Sequence, residues 1–113
     1  MLSVRHEMSG PAMVRVTVEG KMMMGAENLG VDGLVESLLD QGVRRFVFDL
    51  RGVTRIDSTG IGRFIASYNK IMAVEGGSLR MAAAAGAVRE AFRVTRLDRV
   101  FPFFETVEQA EAA

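Results

Sequence analysis

The chain has 113 residues, 49% of them apolar and 25% charged, and its 14 basic and 14 acidic side chains leave a formal net charge of zero. That is a length for one domain spanning residues 1–113, without the basic excess by which nucleic-acid binders hold phosphate. With no cysteine, disulfides, thiolate zinc sites and thiol nucleophiles are excluded, and a neutral surface mildly favours protein association.

Arg5, His6 and Glu7 interrupt the start of the chain before any signal-peptide core can form. No apolar stretch reaches the length of a membrane span. A cytoplasmic protein without membrane insertion is therefore expected. Residues 2–7 alternate loosely and lead to the turn signal Ser9-Gly10-Pro11. Residues 13–19 alternate clearly, with Val14, Val16 and Val18 on one side and Arg15, Thr17 and Glu19 on the other, as in a half-buried strand. The two stretches predict an antiparallel hairpin with its first strand at an edge. Gly20 breaks the run, and Lys21-Met22-Met23-Met24-Gly25 reads as a brief strand or an extended loop. Its methionines are either flexible core filler or an adaptable contact surface. A helix beginning between Asn28 and Asp32 follows, with Val31, Leu34, Val35, Leu38 and Leu39 on its apolar face and Gly42 as its stop.

Phe46-Val47-Phe48-Asp49-Leu50 predicts a central strand covered on both faces. After a short polar connection, Asp57-Ser58-Thr59-Gly60 opens a helix expected to run to Gly76-Gly77. Its apolar stripe is Ile61, Phe64, Ile65, Tyr68 and Met72, with Arg63, Ser67, Asn69 and Lys70 turned away. Asp57 and Ser58 thus stand at a helix N-terminus, where the first N–H groups lack internal partners and the dipole is positive. Either side chain is a suitable cap. Alternatively Asp57 caps and Ser58 presents an exposed hydroxyl in the first turn, with Thr59 as a competing hydroxyl. Gly60 reads as a point of close backbone approach or of tight packing on the sheet. Arg63 and Asn69 are candidate partner contacts or merely solvated. Asp49 is a second acidic neighbour or a satisfied turn acceptor.

Residues 79–83 predict a further strand, weak by its alanines. Residues 86–95 return to helical spacing, with Val88, Ala91, Phe92 and Thr95 on one face. In Val100-Phe101-Pro102-Phe103-Phe104 the proline points to an edge strand. Thr106-Val107-Glu108-Gln109 fits a capping box in which Gln109 reaches back to the Thr106 backbone. Strands alternating with helices require parallel pairing. The expected fold is α/β, a mixed sheet of about five strands with helices packed on it.

His6 is the sole histidine and reads as a surface residue, so Ser–His and Cys–His nucleophile arrangements cannot form within one chain. The phosphate-loop and dinucleotide fingerprints are both missing, and no acidic pair stands at metal-ligand spacing. These absences predict no cofactor, no metal and no enzyme activity.

The stretch Phe46-Val47-Phe48-Asp49-Leu50-Arg51-Gly52-Val53-Thr54-Arg55-Ile56-Asp57-Ser58-Thr59-Gly60-Ile61-Gly62 carries the pattern D-L-x-x-V-x-x-I-D-S-[ST]-G-[IL] between a strand and a helix. On it the chain resembles the STAS domain family, the anti-sigma-factor antagonists. Gly77-Ser78-Leu79-Arg80-Met81 and the segment from Val88 to Phe101 extend the similarity over nearly the whole chain. The resemblance implies a cytoplasmic bacterial regulator in which Ser58, or alternatively Thr59, is phosphorylated. The kinase is an ATP-binding partner that is often also the anti-sigma factor, and a PP2C-like phosphatase removes the phosphate. The unmodified form binds the anti-sigma factor, here through Asp57, Ser58, Thr59, Gly60, Ile61 and Arg63, and releases sigma. Many members carry an acidic residue where this chain has Met22 to Met24, although Gly25-Ala26-Glu27 looks like a variant loop of the family. Other STAS domains are constitutive scaffolds or subunits of signalling or transport complexes.

Overall fold

The run Phe46, Val47, Phe48 and Leu50 is apolar towards both faces, and it forms the middle of β3 (Arg45–Ile56), the central strand of a five-stranded sheet. The computed structural model describes residues 2–23 and 30–113. Around β3 lie β1 (Leu2–Gly10), β2 (Met13–Met22), β4 (Ser78–Ala82) and β5 (Phe103–Phe104), in the spatial order β1-β2-β3-β4-β5. β1 and β2 form the expected antiparallel hairpin, and every other neighbouring pair is parallel. The parallel strands are joined through α1 (Gly30–Asp40), α2 (Ser58–Met72) and α3 (Gly86–Val94). Because the strand order never reverses, crossovers of one hand place all three helices on the same face.

Alternation along the strands then sorts the core. Val14, Val16, Val18, Phe46, Phe48, Leu50, Leu79 and Met81 meet Val31, Val35, Leu38, Phe64, Ile71, Val88 and Phe92 from the helices. Phe64 bridges Phe48 and Phe92 at ring-centroid distances of 5.5 and 5.8 Å. On the opposite face, Val47 and Ala82 pack against Val107 and Ala110 of the C-terminal helix α4 (Val107–Ala112). Arg15 Nη2 donates to Glu111 Oε1 at 3.1 Å and ties α4 to β2. Gly42, at φ +95°, ends α1 as expected, and the Val43 N–H donates to the Leu38 carbonyl at 3.0 Å.

Several elements depart from the expectations above. β2 does not stop at Gly20. The glycine adopts φ +107°, the strand register shifts around it, and pairing continues until Met22 faces Ile56. The polar connection expected after Leu50 is instead the second half of β3, paired to that extended end of β2. α2 ends at Met72 with Ala73 as its C-cap, short of Gly76-Gly77. Its buried line is Gly60, Ile61, Phe64, Ser67 and Ile71, whereas Ile65 and Met72 are 37% and 49% exposed. Side-chain polarity misplaced the stripe because the face that meets the sheet is defined by small Gly60 and Ser67 as well as by Phe64. At α4, Thr106 Oγ1 accepts the Gln109 N–H at 3.1 Å, but Gln109 Oε1 accepts from the Glu105 N–H at 3.2 Å and not from Thr106. Met22 is fully buried, so this methionine is core filler. Met24 and the Gly25-Ala26-Glu27 loop lie outside the described residues, and α1 is described from Gly30, within the range Asn28 to Asp32 expected for its start. Among the described residues no helix is long and apolar enough to cross a membrane.

Candidate functional site

The C-terminal end of β3 delivers the chain directly into α2. Asp57 is the junction: its backbone is extended (φ −118°, ψ −172°) and its N–H donates to the Met22 carbonyl at 3.1 Å, fastening it to the end of β2. Asp57 Oδ1 accepts the Gly60 N–H at 3.1 Å, and its carbonyl accepts the Ile61 N–H at 3.0 Å as the first helical bond. Asp57 is therefore the N-cap, and the alternative in which Ser58 caps does not hold. Ser58 is the first helical residue and is exposed. Thr59 beside it is only partly exposed.

Gly60 explains how the helix start comes so close to the sheet. A β-carbon there would stand 2.2 Å from the Met22 carbonyl oxygen and 2.8 Å from Ile56 Cγ1. Close approach and tight packing, offered as alternatives by the sequence, are one and the same feature. Ile61 is buried and turns inward. Arg63, partly exposed, is ion-paired: its Nη1 donates to Asp32 Oδ2 in the first turn of α1 at 3.1 Å. Beside that contact, Arg63 Nε and Asp32 Oδ1 are buried without a hydrogen-bond partner among the described residues. A second ion pair, Lys70 with Glu36 at 3.4 Å, follows the same α1–α2 seam. Asp32 was not legible as a site neighbour, since no local pattern links residues 32 and 63.

Asn69 is exposed on the outer side of α2. Asp49 is 5% exposed; its Oδ1 accepts the Arg51 N–H at 3.0 Å, which makes it the satisfied acceptor of the two readings. It lines a cleft with Arg15, Thr106 and Glu108, on the α4 side of the sheet. His6 is exposed on β1. Among the described residues no cluster of three or more His, Cys, Asp or Glu could hold a metal ion.

The arrangement is thus a capped helix N-terminus at the rim of a parallel sheet, with a hydroxyl turned to solvent where amide N–H groups and the helix dipole favour negative charge. This mixed sheet, with three helices on one face and the capped α2 start at its rim, is the STAS fold. The STAS domain model matches residues 8–110, and the chain belongs to the STAS domain family. No curated protein sequence matches the chain. Among solved structures it is similar to an anti-sigma factor antagonist from Mycobacterium paratuberculosis, with 21% identity over 99% of this chain and 92% of that one and a TM-score of 0.86. The Bacillus cell fate determinant SpoIIAA in its phosphorylated form aligns with 16% identity over 97% of this chain and 98% of that one, at a TM-score of 0.75. A sulfate transporter family protein from Wolinella succinogenes aligns with 16% identity over 94% and 87%, at 0.74. At such identities the likeness is one of fold.

Proposed function

We propose that the chain is an anti-sigma-factor antagonist, a protein-binding module whose docking on an anti-sigma kinase is governed by phosphorylation of Ser58. The observation that carries this reading is the division of labour at the start of α2. Asp57 supplies the cap, so the Ser58 hydroxyl is left to solvent in the first turn. A phosphate there adds about −1.5 to −2 charges and strong acceptor oxygens. The helix N-terminus accommodates that charge, so the fold survives modification. A partner seated on the unmodified surface would instead have to cover a strongly hydrated dianion. Uncompensated burial of such a charge costs several kcal/mol, and each ~1.4 kcal/mol is a tenfold loss of affinity. Asp57, Ser58 and Thr59 form the contact surface in this reading. Gly60 and Ile61 shape it from beneath, and Arg63 braces it through Asp32. A PP2C-like phosphatase resets the switch, the protein works in the cytoplasm, and the domain itself catalyses nothing.

The test is intact mass of the chain after incubation with a cognate ATP-dependent kinase. One added phosphate mapped to Ser58, lost in Ser58→Ala, supports the reading; phosphate on Thr59 moves the switch by one residue. A protein that takes no phosphate, and whose complexes tolerate Ser58→Asp, is a constitutive scaffold or transport-complex subunit. That second reading is favoured by the likeness to the sulfate transporter family protein.

A further inference from the structure

The two edges of the sheet are unlike. At one, β5 is two residues long and follows Pro102, a short edge that offers little to a further strand. At the other, β1 spans nine residues and pairs with β2 along one side, and its residues 3–10 border no further strand among the described residues. A long unpaired edge is a template for another strand unless its side chains forbid it. Here the side chains are ordered so that they select one visitor.

An antiparallel strand set against β1 by a two-fold axis must pair residues of the same face, so the axis has to pass through a single residue. Centred on Arg5 it places Arg5 against Arg5, and centred on Glu7 it places Glu7 against Glu7. Registers centred on Val4 or Met8 overlap only part of the strand. Centred on His6, the full strand overlaps. Arg5 then faces Glu7 of the second copy, Glu7 faces its Arg5, and Val4 faces its Met8. His6 lies against His6 on the axis. The existing sheet continues this pattern. Arg5 already pairs with Glu19 at 3.0 Å, and Glu7 stands opposite Arg15 in the β1–β2 ladder. The joined face would therefore read Arg15, Glu7, then Arg5 of the second copy, alternating in sign across the junction. On the other face Met8, 48% exposed, would cover Val4, which packs at the margin of the main core.

We propose that β1 is a self-association edge, on which a second copy of this chain adds its own β1 antiparallel in the register centred on His6, joining two sheets into one. Charges in the middle of an edge strand usually keep other strands away. The sequence Arg5-His6-Glu7 does this against most strands, but it is complementary to its own reverse. The contact is one strand wide and belongs with small, reversible interfaces.

Sedimentation equilibrium of the full-length protein over a wide concentration range tests this. The expected result is a reversible monomer–dimer equilibrium, with concentration-dependent slowing of amide hydrogen exchange confined to β1. Arg5→Glu and Glu7→Arg, each alone, bring like charges together twice per dimer and should weaken self-association by roughly tenfold or more. An equimolar mixture of these two variants restores opposite charges across the junction and should associate where neither variant does alone. Disturbance of the Arg5–Glu19 contact within one chain is the same in pure and mixed samples, so recovery on mixing reports the intermolecular pairing. A wild-type protein that stays monomeric at several hundred micromolar overturns the proposal. So does a mixture of folded variants that fails to recover association.

Discussion

A β-carbon on Gly60 would lie 2.2 Å from the carbonyl oxygen of Met22, the same oxygen that accepts the Asp57 N–H at 3.1 Å. One carbonyl at the end of β2 therefore both positions the cap of α2 and limits what the third residue of the helix can be. The obstacle is backbone, so it cannot swing aside as a side chain would. Gly60→Ala is expected to destabilise the fold by about 3 kcal/mol, at the upper end of overpacking effects. In a domain of this size that lowers Tm by on the order of 10 °C or more. Thermal and urea unfolding will measure it, and an unchanged midpoint would show that α2 can lift off the sheet without loss.

Asp57 and Ser58 are adjacent, yet only Asp57 caps the helix. Asp57→Ala removes the acceptor of the Gly60 N–H and is expected to cost about 1 kcal/mol. Ser58→Ala, at an exposed position, should stay within about 0.5 kcal/mol of wild type. Ser58→Asp should be neutral or slightly stabilising because it puts negative charge at a helix N-terminus. Equal losses in the alanine variants would contradict the division of labour on which the proposed switch depends.

Arg63 and Asp32 couple α1 to the start of α2 at 3.1 Å, with both side chains less than one-third exposed. A double-mutant cycle with Arg63→Ala and Asp32→Ala should return a coupling of about 0.5–1 kcal/mol. Additive losses would mean the pair contributes nothing. Partner-binding measurements on Arg63 variants need this control, since the side chain braces the site from the side.

Acid should loosen α4. The hydrogen bond from Arg15, outweighing partial burial, holds the Glu111 carboxyl below the usual carboxylate range. A depressed carboxylate stabilises the fold at pH values above its unfolded pKa of about 4.3, and that contribution disappears as pH falls through the lower folded value. Glu111→Gln is therefore expected to cost about 1 kcal/mol at pH 7 and nothing once the wild-type carboxyl is protonated. Unfolding curves for the two proteins should converge below pH 4 or so; a constant gap down to pH 2 would assign the loss to packing instead.

Ser67 is fully buried in α2, and among the described residues its hydroxyl has no hydrogen-bond partner. Leaving a polar group dry and unpaired is unfavourable, and alanine is also the better helix former. Ser67→Ala should raise stability by about 1 kcal/mol. A fall on substitution would reveal that the hydroxyl is satisfied in solution, for example by an ordered water.

The sequence was most legible where a physical pattern is local. The valines of β2, the phenylalanines of β3, Gly42 behind α1 and Asp57 before α2 each announce an element or its end within a few residues. The second half of β3 was hidden because Arg51, Thr54 and Arg55 are exposed there and erase the apolar signature of a central strand. Gly20 looked like a terminator because a glycine that bends a strand and one that stops it are identical in sequence. In α2, polarity alone turns Ser67 outward and Ile65 inward, and the packing of small residues against the sheet reverses both. The site's cap and hydroxyl could be read from the motif. Its brace through Asp32 could not, because ion pairs between separate helices leave no trace in local spacing.

β4 ends at Ala82, opposite Asp49, while β3 continues to Ile56 with β2 alone as its paired strand among the described residues. The rim leading to α2 is therefore stepped. On the β4 side, residues 50–56 border no strand among the described residues, and this step in the sheet lies just before Ser58. A strand of a docking protein laid along that step would be held through its backbone, and a grip of that kind is indifferent to the identity of the residues it touches.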